Sequence, residues 1–218
     1  VTPSEPIHPL KDVWLRPRRV FRELASQPVG ITDYLLAAAQ GVGNFLALYR
    51  SEGAGAHTGV GEILANSFAY GAVAGVASLF LMGVIYTRLG RRAGGKSTTN
   101  QVIHVLAYGG VPMLASLIIW VLTALLVGEA AFVETPHPDL EGFLVLLLHL
   151  QFAAYVLLLL WSIVLQVMGF SEVQGLATRK SFGVWFLGQI VGFLVFLFLA
   201  LLIDAVFPGV LLQVIPQS

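Results

Sequence analysis

The sequence predicts an all-α integral membrane protein of five transmembrane helices. Its N-terminus is expected to be cytoplasmic and its C-terminus outside, with an amphipathic interfacial helix ahead of the first span. Three observations carry this expectation. Hydrophobic residues make up 57% of the 218 and charged residues 11%, less than half of the roughly 25% usual in soluble domains. Five apolar runs reach the roughly 20 residues needed to cross a ~30 Å hydrocarbon core. Eleven of the twelve Lys and Arg fall on one side of a five-pass path, the asymmetry that sets orientation in membranes.

The same composition excludes a disordered chain and a solvated globular domain. A formal net charge of zero gives no argument for a nucleic-acid partner. With no cysteine, disulfide scaffolds, iron–sulfur clusters and thiolate zinc sites are excluded.

Residues 1–30 read as a cytoplasmic arm, and no cleavable signal is expected there, since the stretch is polar and basic without an apolar centre. Residues 1–9 are Pro-rich and expected to be mobile. Asp12 is a candidate cap for a short helix through Trp14 and Leu15. Pro17 suits a first helical position. Val20, Phe21 and Leu24 share a helical face, with Arg18, Arg19, Arg22 and Glu23 elsewhere. Such a helix is expected to lie on the inner membrane surface, its cations near anionic headgroups.

Residues 31–210 form the predicted membrane domain, with spans at 31–49, 63–87, 102–127, 143–168 and 182–207; residues 211–218 form a short outer tail. None of the five spans holds Lys or Arg. Helices are expected because each span must satisfy its own backbone. The basic residues lie in the arm (Lys11, Arg16, Arg18, Arg19, Arg22), between spans two and three (Arg88, Arg91, Arg92, Lys96) and between spans four and five (Arg179, Lys180); only Arg50 lies outside. The outer loops are acidic, with Glu52 and Glu62 in one and Glu129, Glu134, Asp139 and Glu141 in the other.

The segment Gly90-Arg-Arg-Ala-Gly-Gly-Lys96-Ser97 matches the letters of a P-loop, but that motif works between a strand and a helix of an α/β domain. Between two membrane spans it reads as a tight Gly turn, followed by a Thr98–Gln101 capping box. Helix-start N–H groups beside Arg91, Arg92 and Lys96 make this turn a candidate for lipid phosphate. Together with Arg18, Arg19 and Arg22 they form the candidate cytoplasmic surface for anionic headgroups or for a membrane or cytoplasmic protein partner.

Polar residues inside spans call for an explanation. Asp33, Gln40 and Asn44 recur in span one, Glu62, Asn66 and Tyr70 in span two, His149 and Gln151 in span four, and Gln189 and Asp204 in span five. Gln40, Asn44, Asn66, His149 and Gln151 make a candidate intramembrane site in the outer half, the alternative being hydrogen bonds between helices. Gly109, Gly110 and Pro112 predict a kink in span three. Rows of small residues, including Gly71, Gly75, Gly188 and Gly192, suit close packing within the bundle or a homo-oligomer. His57 and His137 stand near carboxylates without a ligand spacing, so no metal and no cofactor is expected. No catalytic set is evident.

Two runs carry a resemblance: Arg88-Leu-Gly-Arg-Arg-Ala-Gly-Gly-Lys96 followed by Val105-Leu-Ala-Tyr-Gly-Gly-Val-Pro112. They resemble the core of bacterial Yip-domain proteins, relatives of the Rab/Ypt-interacting five-span proteins. Met168-Gly-Phe-Ser-Glu-Val-Gln174 and the Pro17…Phe21…Pro28 arm extend the likeness to most of the chain. The resemblance implies five spans, a cytoplasmic N-terminus and a non-enzymatic adaptor, and brings no catalytic residues. The residues ahead of the first span do not resemble the long acidic or aromatic N-terminal region of the eukaryotic members, so no Rab-type partner is expected from the resemblance. From its residues and the resemblance together, the protein is expected to be a multi-pass inner-membrane adaptor or membrane-organising component. The alternative is a small permease, channel or lipid-handling protein using the outer polar set.

Overall fold

The computed structural model describes residues 7–133 and 142–206, without the side chains of Leu144 and Asp204. Every regular element among them is helical. Two short helices, α1 (Pro9–Asp12) and α2 (Pro17–Leu24), precede α3 (Ile31–Ser51). Then come α4 (Val60–Asn66), a π turn at Ser67–Gly71 and α5 (Ala72–Arg92), which continue one another. Helices α6 (Thr99–Gly109) and α7 (Val111–Val127) follow, the latter ending in a 3₁₀ turn at Gly128–Phe132. The last two are α8 (Gly142–Gln174) and α9 (Thr178–Val206).

Among the described residues, four stretches are long and apolar enough to cross a membrane: Val60–Arg92, Thr99–Phe132, Val145–Gln174 and Thr178–Ile203. The sequence predicts five. The difference is α3, which is 21 residues long but carries Asp33, Gln40 and Asn44. The outward faces of α7, α8 and α9 are lined with exposed Leu, Ile and Phe, among them Leu125, Leu157, Phe193 and Phe198. That is the distribution expected where the solvent is lipid rather than water.

Small residues decide how the bundle closes. Gly41 of α3 sits directly against Gly71 and Gly75, and Gly75 against Ala37, so a side chain at either glycine would overlap backbone. Helices α3 and α5 therefore approach to backbone contact, the arrangement small residues permit in membranes. Gly188 and Gly192 instead leave room for the Tyr86 and Met82 side chains, joining α9 to α5. All four glycines proposed from sequence as packing or oligomer positions lie at crossings within this chain.

Two apolar clusters fill the interior. One joins Val13, Val20, Phe21, Leu24, Tyr86, Val105 and Phe170. The other, toward the opposite end, joins Leu46, Tyr49, Ile63, Trp120 and Phe132.

The arm departs from expectation twice. Asp12 closes α1 instead of opening a helix; its carboxylate accepts the His8 N–H at 2.9 Å. Helix α2 starts at Pro17 and is amphipathic, but its apolar face lies on protein and not on lipid. Val20 and Phe21 are 0% exposed, and the Phe21 ring fills the space left by Gly169 of α8. A protein groove takes the face that the sequence assigns to a membrane surface.

Candidate functional site at the basic end of the bundle

Arm, turns and helix ends meet at one end of the molecule. Arg22 of α2 pairs with Glu172 of α8 at 2.8 Å, and Arg18 reaches the same carboxylate at 4.0 Å. Arg18 also donates to Thr178 Oγ1 at 3.3 Å. The hydrogen bond and charge of Glu172 hold the Arg22 guanidinium above its ordinary pKa. Arg19 pairs with Glu23 one turn on, at 2.9 Å. Gln101 of α6 donates through Nε2 to Ala25 O at 3.1 Å, tying the arm to a third element.

The turn after α5 shows why the P-loop letters do not make a P-loop. Gly94, at φ +96°, occupies the left-handed position that glycine adopts without strain. Its N–H bonds Arg91 O at 3.0 Å, and Gly95 N–H bonds Gly90 O at 2.8 Å. This pair of bonds is the Schellman helix stop. Lys96 N–H bonds Gln174 O at 3.2 Å. The three amides that would cradle phosphate are already used. The following helix starts with the reciprocal capping box: Gln101 N to Thr98 Oγ1 at 3.4 Å and Thr98 N to Gln101 Oε1 at 3.0 Å. Arg91 Nε donates to Ser97 O at 3.3 Å. Arg92 and Lys96 are exposed.

Just inside this end lies a buried polar link. Asp33, the third residue of α3, meets His104 Nδ1 at 2.7 Å, and both residues are 2% exposed. Asp33 also accepts the Gly30 N–H at 2.9 Å. His104 Nε2 faces Gln27 O at 3.2 Å. Halfway along the bundle, α6 gives way to α7 at Gly109, Gly110 and Pro112. Gln40 Nε2 donates to Ala107 O at that break, at 2.8 Å, so the loosened backbone is satisfied from α3.

A family model described as the Yip1 domain matches residues 11–203. The chain belongs to the Yip1 domain family. No curated protein and no solved structure matches it. The matched Yip1 region begins in α1 and ends in α9, so it includes the docked arm as well as all four apolar stretches. With those stretches, this Yip1 protein is a multi-pass membrane protein. Yip1 proteins are not known as enzymes.

The five polar positions singled out within the spans of this Yip1 domain do not converge. Gln40 and Asn44 line a cavity of about 440 Å³ between α3, α5 and α9, together with Ser78, Gln166 and Gln189. Gln151 lines a different pocket, between α3, α7 and α8. His149 is exposed on α8, where Nδ1 bonds the Val145 carbonyl of its own helix at 2.7 Å. Asn66 stands at the end of α4, before the π turn. That turn inserts an extra residue into the helical repeat, which breaks the i, i+4, i+8 row of Glu62, Asn66 and Tyr70.

Among the described residues no group of three His, Asp or Glu side chains is placed to hold a metal. His137, Glu134, Asp139, Glu141 and the tail lie outside the described residues, as does the side chain of Asp204.

His104 is the residue that sequence reasoning missed. The available signal was depth. Asp33 and His104 each lie within two turns of a helix start, on segments that both begin at the basic end.

Proposed function

We propose that this Yip1 protein is a non-enzymatic adaptor or membrane-organising component of a cytoplasmic (inner) membrane, working through its basic end. In this reading α3 is a fifth crossing, and the basic end faces the cytoplasm by the positive-inside rule. Full-height contacts of α3 support the crossing: it meets His104 near its start and Ala131 near its end, through Arg50 at 3.0 Å.

One observation carries the function. The arm is locked onto α8 by Phe21 and Glu172, so Arg18, Arg19 and Arg22 stand on the same rigid end as Arg91, Arg92 and Lys96. Such a surface suits an acidic patch of a protein partner or anionic headgroups. The transport alternative has less support, since its five polar residues do not share one cavity.

The test is native mass spectrometry of the protein released from its own membranes into a mild membrane mimetic. The expected result is a stoichiometric second protein, lost when Arg91, Arg92 and Lys96 are all changed to Gln. A lone protomer holding a defined small molecule, unaffected by those changes, would overturn the reading.

A further inference from the structure

At the end opposite the basic cluster, a pocket of about 390 Å³ opens between α3, α7 and α8, lined by Arg50, Trp120, Gln151 and Tyr155 with walls of Ala47 and Phe152. Its size lies within the usual range for small-ligand sites. Three features make it unlike a packing defect. Gln151 is 5% exposed, and neither its amide oxygen nor its amide nitrogen has a partner. Trp120 is equally buried, and its indole N–H is unpartnered. Buried polar groups left this way are costly in a folded protein and rare. The third feature is Arg50, the one Lys or Arg among the described residues at this end of the bundle. Its guanidinium spends one N–H on Ala131 O and lies over the Trp120 ring, 5.7 Å from the centroid. No carboxylate lines the pocket among the described residues.

We infer that this pocket binds a phosphate monoanion, held by the Arg50 fork, the Trp120 indole N–H and the Nε2 N–H of Gln151. Arginine matches phosphate oxygens in two parallel bonds. The donors outnumber the acceptors on the lining, which selects an anion over a cation. Phe152 of the lining is an exposed apolar side chain, so the mouth lies beside lipid. The phosphate is therefore supplied either by an anionic phospholipid headgroup or by the aqueous phase.

The experiment titrates the full chain in detergent with phosphatidylglycerol, phosphatidylcholine or inorganic phosphate, and resolves the first bound molecule by native mass spectrometry. The expected result is that phosphatidylglycerol binds more tightly than phosphatidylcholine. Changing Arg50→Gln should weaken it by about tenfold or more, as loss of a charge-assisted bond does. Should Arg50→Gln fail to fold, Gln151→Leu carries the test. It removes a buried unpaired amide, so it should fold at least as well as the parent chain while binding phosphatidylglycerol more weakly. Binding of inorganic phosphate, lost in both variants, with no lipid bound, assigns the same site to a free ion. Phosphatidylglycerol binding unchanged in both variants, or lost only when Arg91, Arg92 and Lys96 are neutralised, overturns the inference.

Discussion

His104 faces two acceptors, the Asp33 carboxylate at Nδ1 and the Gln27 carbonyl at Nε2. With Asp33 ionised, both bonds form together only when both ring nitrogens carry hydrogen. The link is then a buried imidazolium–carboxylate pair, and its loss is governed by what is left unpaired. Asp33→Leu strands the ring and the Gly30 N–H, and should cost about 3–5 kcal/mol. Asp33→Asn is different. Its oxygen can keep the Gly30 bond, and its amide N–H can donate to Nδ1 of a neutral ring that still donates to Gln27. That change should cost about 1 kcal/mol. Thermal unfolding of both variants in detergent measures the difference, and equal losses would show that charge, not bond geometry, holds the pair. The Asp33–His104 partnership was hard to read from the chain because its members lie on different helices. Asp33 was visible as a polar residue in a span; what it touched was set by how α3 and α6 pack.

The same contrast between local and distant information runs through the elements. Helix α2 was legible in its start at Pro17 and in its row of Val20, Phe21 and Leu24, because both are set within one helical turn or two. The Thr98–Gln101 capping box was legible for the same reason. The destination of the α2 face was not, because the groove that receives it is made by Gly169 on α8 and Val105 on α6. Two forces hold α2 there, and their magnitudes differ. Phe21 is fully buried, so Phe21→Ala should cost about 3–5 kcal/mol locally. The Glu172 pairs involve Arg18 and Arg22 side chains that are 48% and 72% exposed, and water and salt screen pairs this wet, so they fasten the arm only weakly. Packing therefore dominates. Limited trypsin digestion should cut between Arg16 and Arg22 at least tenfold faster in Phe21→Ala, and less than about threefold faster in Glu172→Gln. The reverse order would make the ion pairs the main fastening.

For the whole molecule, the bias of Lys and Arg toward one end was readable from the sequence, since it needs only the order of spans and charges. The number of crossings was less readable, and α3 is the reason. A helix with Asp33, Gln40 and Asn44 is a poor span alone, yet in the bundle each has a place: Asp33 on His104, Gln40 on Ala107 and Asn44 in the α3–α5–α9 cavity. At 21 residues and 1.5 Å per residue, α3 is about 31 Å long, enough to span the hydrocarbon core. The proposed five-pass arrangement thus depends on neighbours making a moderately polar helix tolerable. It predicts that the two ends of α3 meet water on opposite sides of the membrane. Because the chain contains no cysteine, single substitutions report without background. Gln27→Cys and Glu52→Cys replace exposed residues just outside the two ends of α3. In sealed vesicles of known orientation, a membrane-impermeant maleimide added outside should label one and spare the other, and opening the vesicles should label both. In the orientation proposed here, Glu52→Cys reacts from the outer side and Gln27→Cys from the cytoplasmic side. Labelling of both from the same side would leave four crossings, put Arg50 on the same side as the other basic residues, and remove the structural basis for an outward-facing pocket.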